Sequence, residues 1–281
     1  VSRTLVVVQA RTGSGRLPGK VLLPLAGAPV LLRQIERILA ARTPFDLVVA
    51  TTTRPEDDRI ADLARRFGVR VFRGDETDLL DRHYRAAEAA GAEVVVKIPS
   101  DCPLIDPDAI DRVLQRFLTG PDRPDYASNL HPASWPDGND VEAMSMEALA
   151  TAWREAGRDF EREHTTPFLW ERPERFRIAN VQRVPGEDLS MSLRFTLDYP
   201  DDYVFVTAIY EALWRRERPV FPLEAILRLL QERPALRELN ARYAGVNWYR
   251  HHLGELRTVS AAATRRPGGE PAAPRPEGTL S

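Results

Sequence analysis

The segment "QARTGSGRLPGK", residues 9–20, interleaves three cations, Arg11, Arg16 and Lys20, with Gly13, Gly15 and Gly19. Glycines let backbone N–H groups come close to an anion, and guanidinium and ammonium groups then neutralise its charge. That is the composition of a triphosphate cradle. The spacing fits neither GxxxxGK(S/T) nor GxGxxG, so it supports neither a P-loop NTPase nor a dinucleotide-binding dehydrogenase. By composition alone a solvated basic loop is an equal reading. Its position directly after an apolar strand tips the balance toward phosphate binding.

Two aspartates complete the chemistry. Asp101 in "KIPSDCPLIDPDAI" and Asp198 in "FTLDYPDDY" each stand just past an apolar run. Carboxylates there suit a magnesium ion, which prefers oxygen ligands and bridges to phosphate oxygens. If the two converge over one sheet edge, they make a metal site. Asp106, before Pro107, is better read as a helix cap. Cys102 has no basic neighbour in sequence and reads as a small packed residue rather than a nucleophile.

The elements that must position these groups follow from the apolar pattern. Runs at residues 5–8, 47–50, 69–72 and 94–98 read as strands. Between them lie helical stripes: Leu31, Ile35, Ile38 and Leu39 behind Pro29; Ile60, Leu63, Ala64 and Phe67 closed by Gly68; and residues 79–90 closed by Gly91. Apolar strands alternating with helices predict an α/β fold with a mostly parallel sheet covered on both faces. Ligands of such sheets bind beyond the C-terminal strand ends, where both the glycine loop and the Asp101 turn emerge. Residues 126–190 are less regular and predict a small inserted lobe, and residues 192–198 a returning strand. A helix from Pro200 comes next, and the Pro- and Gly-rich residues 257–281 predict a disordered tail.

Composition narrows the class. With 281 residues, 43% of them hydrophobic, the chain can bury the core of one large domain. A balance of 39 basic to 41 acidic residues argues against a general nucleic-acid or membrane-surface binder. The single cysteine rules out an internal disulfide framework and a Cys-based zinc site, and suits a reducing compartment. No bilayer-length apolar segment or signal-peptide pattern is apparent, so the expectation is a soluble cytoplasmic protein without nucleic-acid or membrane partners.

At this point the motifs carry a resemblance. "QARTGSGRLPGKVLLPLAG" resembles the ARxxSxRxPxK motif of the cytidylyltransferases for acidic sugars, the 3-deoxy-manno-octulosonate and N-acylneuraminate enzymes. "SDCPLID", "DVEAMSMEAL", "REHTTPF" and "LDYPDD" are similar to the spore-coat polysaccharide branch of that family. The resemblance implies a Rossmann-like nucleotidyltransferase domain over residues 1–256 that couples CTP to a sugar hydroxyl and releases pyrophosphate. Carried over, Ala10, Arg11, Ser14, Arg16 and Lys20, with Ser100, would hold the nucleotide, and Asp101 and Asp198 would hold Mg2+. The inserted lobe would bind the acceptor through Asp140, Glu142, Arg162 and His164, with His164 orienting or deprotonating the attacking hydroxyl. Related enzymes are commonly homodimers, and Trp248 is a core or contact residue.

Other readings stay open at this level. A nucleotide-sugar glycosyltransferase usually shows Asp-x-Asp, whereas the residue two past Asp101 is Pro103. A phosphonate or amino-sugar acceptor, and a non-catalytic nucleotide-binding protein, are the remaining alternatives.

Overall fold

Leu5, Val6, Val7 and Val8 are all fully buried, so the first strand must be covered on both faces. Its side chains alternate: Val6 and Val8 enter one apolar cluster, Leu5 and Val7 the other. The computed structural model describes residues 3–120 and 122–270. In chain order, β1 (Thr4–Gln9) is followed by the hairpin β2 (Pro24–Leu25) and β3 (Ala28–Pro29), then α1 (Val30–Ile38) and β4 (Asp46–Thr52). Next come α2 (Asp58–Arg66), β5 (Arg70–Gly74), α3 (Leu79–Ala90), β6 (Val94–Pro99) and α4 (Pro107–Thr119). The irregular half contributes β7 (Tyr126–Ser128), β8 (Glu142–Ser145), α5 (Met146–Glu155), α6 (Asp159–His164), α7 (Pro167–Trp170) and β9 (Ile178–Asn180). It ends with α8 (Pro200–Leu213), α9 (Leu223–Glu232) and α10 (Ala235–Glu238).

The seven-stranded sheet has the order β5-β4-β1-β6-β8-β7-β9. β5, β4, β1 and β6 pair in parallel, and β8 runs antiparallel to both β6 and β7. The chain builds outward from β1 through β4 to β5, then returns to place β6 on the other side of β1. That reversal opens a crevice between the C-terminal ends of β1 and β6, where open α/β sheets bind ligands. The glycine loop and the Asp101 turn are its two lips.

Several expectations change in detail. Residues 126–190 do not stand apart from the sheet: β7, β8 and β9 extend it, because β8 pairs directly with β6. Residues 192–198 run extended but form no strand of the sheet: their ladder pairing is one isolated bridge, between Asp137 and Arg194. Leu39 and Phe67, read as stripe residues, are 51% and 41% exposed, since α1 and α2 end one residue before each. The first part of the expected disordered tail, residues 257–270, is instead tied down. Glu171 accepts from the backbone N–H groups of Arg257 and Thr258, Arg265 N–H donates to Gly245, and Thr264 is buried. Residues 271–281 lie outside the described residues.

Two devices hold the lips of the crevice. On the buried face of α1, Gln34 Nε2 donates to Pro99 O at 2.6 Å, and Arg37 Nε donates to Ile105 O at 2.7 Å. Arg37 is fully buried and finds carbonyls rather than a carboxylate, Phe221 O among them at 2.9 Å. Burial accordingly lowers its pKa. The second device is Gly138, whose φ is +101° and whose position a Cβ would bring within 2.5 Å of Thr196 N. Only glycine fits there. The approach lets Phe195 N–H donate to Asp137 O at 2.6 Å, which sets the extended segment leading to Asp198.

Gly138→Ala is therefore expected to destabilise the fold by about 2 kcal/mol, through strain and the backbone clash together. Urea unfolding checks this, and an unchanged midpoint at unchanged slope would contradict it.

Candidate functional site

Lys20 opens a short 3-10 turn, Lys20–Leu22, directly after Gly19 in the left-handed region at φ 68°. Its buried ammonium donates to Asp101 Oδ2 at 3.1 Å, Asp198 Oδ1 at 2.8 Å and Leu197 O at 2.8 Å, which uses all three of its protons. The glycine loop and both aspartates, far apart in sequence, thus meet at one nitrogen. Burial works against the ammonium, but Asp101 and Asp198 outweigh it and raise its pKa. Backbone contacts reinforce the junction, since Leu197 N–H donates to Asp101 O at 2.7 Å.

Asp198 is the more crowded carboxylate. Arg16 Nη2 lies 2.8 Å from Oδ1 and Arg194 Nη2 3.2 Å from Oδ2. Burial pushes its carboxyl up, yet Lys20, Arg16 and Arg194 together hold it well below the usual carboxylate range. The start of α8 fixes its backbone: Asp202 Oδ2 accepts from the N–H groups of Asp198 and Tyr199, at 3.0 and 2.9 Å. Arg194, itself buried, organises this side by reaching Asp202 at 3.0 Å, Asp137 at 2.9 Å and Val246 O at 2.9 Å. Burial disfavours its charge, but Asp137, Asp202 and Asp198 more than offset this and raise its pKa.

Beyond Asp101 the negative charge runs to surplus. Burial, then Asp137 and Asp101, push the Asp140 carboxyl up to about 8, against one hydrogen bond from Gly138 N–H at 3.2 Å. Asp137 is pushed up to about 6 by burial, despite Arg194, with Asp198 and Asp101 adding to the rise. Cys102 is fully buried, and burial, then Asp140 and Asp101, raise its thiol well above the ordinary value. It is packed and inert, as read from the sequence.

The rest of the opening loop is anchored from below. Ala10 is buried, its N–H bonded to Ala50 O at 3.0 Å. Thr12 donates through both its backbone N–H and its hydroxyl to Asp57 Oδ1, each at 2.7 Å. Ser14 Oγ accepts from Leu17 N–H at 3.3 Å and shapes the turn before Lys20. Arg11 Nη1 reaches Glu76 O at 3.4 Å, and its charge joins burial in lowering the neighbouring Arg82 to about 10. Ser100 is buried at the turn that delivers Asp101.

The residues expected to bind the acceptor divide. Asp140 faces the Asp101 cluster. Glu142 is buried and committed, to Lys97 Nζ at 2.5 Å and to the Tyr126 hydroxyl at 2.6 Å. Arg162 is a clamp rather than a free cation: Nε and Nη2 grip Asp78 Oδ2, at 2.7 and 2.5 Å, and Nη1 donates to Trp153 O. His164 stacks on Trp248 with ring centroids 3.8 Å apart. Burial, then the Lys97 charge and His252, lower His164 to about 3, so its imidazole is neutral. The chain reverses after it at Thr165, where a β-branched residue is held at φ 72°.

Three residues here escaped the sequence reading. Arg194 was signalled only by a charge inside an apolar run, Asp57 by an acid at the start of a helix, and Lys97 by a cation within the β6 pattern. Asp101 and Asp198 offer two hard carboxylates from facing loops, and no group of three or more potential ligands occurs among the described residues. That donor set fits magnesium, which takes one or two carboxylates and completes its shell with phosphate and water.

Residues 5–245 match a family model described as Cytidylyltransferase. The chain is 30% identical over 235 residues to the spore coat polysaccharide biosynthesis protein SpsF of Bacillus subtilis, covering 82% of this chain and 95% of that one. It is 36% identical over 198 residues to an uncharacterised protein of Methanocaldococcus jannaschii, covering 70% and 79%. A 3-deoxy-manno-octulosonate cytidylyltransferase of Geobacter sulfurreducens is 40% identical over 118 residues, which span only 45% of its length. Among solved structures, a cytidylyltransferase from Leptospira borgpetersenii superposes with a TM-score of 0.78 at 28% identity, over 84% of this chain and 97% of that one. A CMP:2-keto-3-deoxy-manno-octonic acid synthetase in complex with CTP shares the fold, with a TM-score of 0.57 at 20% identity over 75% of this chain and 99% of that one. With the family model spanning most of its length and the Bacillus subtilis relative 30% identical over 82% of it, the chain belongs to the cytidylyltransferase family.

Proposed function

We propose that this chain transfers CMP from CTP to a hydroxyl of a 2-keto-3-deoxy sugar acid of the octulosonate or nonulosonate type, releasing pyrophosphate, in the synthesis of a surface polysaccharide. The observation that carries the reading is the Lys20 ammonium bridging Asp101 and Asp198 at the strand-order reversal. The acceptor class is supported by the octulosonate enzymes among the relatives and the polysaccharide role by the Bacillus subtilis relative. We place the reaction in the cytoplasm, where CTP is made; no helix among the described residues is long and apolar enough to cross a membrane.

In this reading the acceptor oxygen forms a bond to the α-phosphorus of CTP as the bond to the departing pyrophosphate breaks. Arg16 and Lys20 take up the charge that grows on pyrophosphate, from positions already fixed by Asp198. Asp101 and Asp198 would hold a magnesium ion, which when bound supplies Lewis-acid polarisation of phosphoryl oxygens. Most of the acceleration then comes from positioning and preorganised charge. His164 is committed to its stack on Trp248, which leaves Asp140, beside the Asp101 cluster, as the side chain to take the hydroxyl proton, in its ionised form, whose share grows as pH rises toward 8.

The test is pyrophosphate release with magnesium, each of the four nucleoside triphosphates, and a panel of sugar acids that includes 3-deoxy-manno-octulosonate and N-acetylneuraminate. Release is expected with CTP and one 2-keto-3-deoxy acid; release only with another nucleotide, or only with neutral sugars, would contradict the reading. On the productive pair, Asp101→Asn and Asp198→Asn are each expected to lower kcat by at least about a hundredfold, and full activity in both would remove them from the mechanism.

Asp140 also links function to stability. Its folded pKa lies above the unfolded value, so between about pH 4 and 8 the folded protein holds a proton that the unfolded chain has released, and stability falls as pH rises through that window. Asp140→Asn is expected to raise Tm at pH 8 more than at pH 5 while lowering kcat. A Tm gain that is the same at both pH values would contradict the assignment.

A further inference from the structure

Past residue 245, where the family match ends, the chain crosses back over the site. Val246 O accepts from the Arg194 guanidinium at 2.9 Å. Two residues on, the Trp248 indole lies flat on His164, and Tyr249 meets Trp170 edge-on at 6.1 Å. Asn247 caps the one-turn helix Trp248–His251 by accepting from Tyr249 N–H at 3.0 Å, and donates to Ala263 O at 2.9 Å. Residues 246–252 are thus pinned to Arg194 on one side and to His164 on the other.

Arg250 is carried by this pinned turn. Its guanidinium is half-buried and donates to Asn247 O, and among the described residues no carboxylate forms an ion pair with it. The turn that carries it also holds a second guanidinium, since Val246 O accepts from Arg194. Arg16 and Arg194 both lie over the Tyr199 ring, 5.3 and 5.6 Å from its centroid, and Tyr199 stacks on Tyr243 at 3.9 Å. Burial, aided by the charges of Arg16 and Arg194 and opposed by Tyr199 and Asp198, lowers Arg250 from its ordinary value. The other cations have carboxylate partners: Arg16 and Lys20 pair with Asp198, and Arg194 with Asp137, Asp198 and Asp202. Gathering a further guanidinium without a counter-charge is unfavourable unless an anion joins it.

We propose that Arg250 is a phosphate-binding residue, through which the C-terminal turn adds a further cation, beside Arg16 and Lys20, to the triphosphate site. The inference rests on the CTP-binding reading given above. A triphosphate carries more negative charge than Arg16 and Lys20 alone neutralise, and both of those share Asp198. The acceptor's own carboxylate is the competing anion.

Titration calorimetry on the full chain with magnesium separates the cases, using CTP and CMP as probes on wild type, Arg250→Gln and Arg250→Lys. The expected result is about a tenfold loss of CTP affinity in Arg250→Gln, less than a twofold loss for CMP, and partial recovery of CTP affinity in Arg250→Lys. An equal loss for both nucleotides would mean that Arg250 only supports the fold, and overturns the proposal. Unchanged CTP affinity in both variants also overturns it and points to the acceptor carboxylate. If wild type binds no CTP, the underlying reading fails, and the proposal with it.

Discussion

The ammonium of Lys20, shared by Asp101, Asp198 and the Leu197 carbonyl, closes three distant segments onto one point. A buried ion pair of this kind gains little net stability, because desolvation offsets most of its attraction. Its use lies in geometry. Removing one partner leaves an uncompensated charge in the crevice, so the arrangement in which all of them meet is favoured over its alternatives. Much of the nearby structure serves this junction: Gln34 and Arg37 seat the Asp101 turn, Gly138 admits the segment leading to Asp198, and Asp57 holds the glycine loop through Thr12.

Charge around the junction is deliberately uneven. On one side three cations, Arg16, Lys20 and Arg194, converge on the single carboxylate of Asp198. On the Asp140 side carboxylates are in excess, and their burial and mutual repulsion raise two of them. A site arranged this way suits a reaction in which a polyanion leaves on one side and a hydroxyl gives up a proton on the other. The cost appears as lowered stability at higher pH, the usual signature of groups kept for chemistry rather than for folding.

The parallel half of the fold was legible because its signals are local. The buried runs of β1 and β4 are continuous, that of β6 is broken at Lys97, and Gly91, in the left-handed region at φ 59°, ends α3 at the expected residue. Asp106 caps α4 as expected, accepting from Asp108 N–H at 2.7 Å. Asp101 was legible as a residue past a strand end, and Asp198 as one past an apolar run. The joining of residues 126–190 to the sheet was not legible, because β7 and β9 are three residues long and too short to show a period. Arg162 and Glu142 resembled ligands in composition, but only tertiary structure reveals that Asp78 and Lys97 already claim them. Arg194 was hidden for the same reason: an arginine inside an apolar run shows its partners only once Asp137, Asp198 and Asp202 are brought round it.

The most direct measurement is a crystal structure of the full chain with CTP and magnesium. The account predicts the triphosphate in the crevice between the ends of β1 and β6, with phosphate oxygens contacting Lys20 and Arg16 and the metal on Asp101 and Asp198. A nucleotide bound elsewhere, or Lys20 still bonded to both aspartates with no phosphate contact, would contradict it.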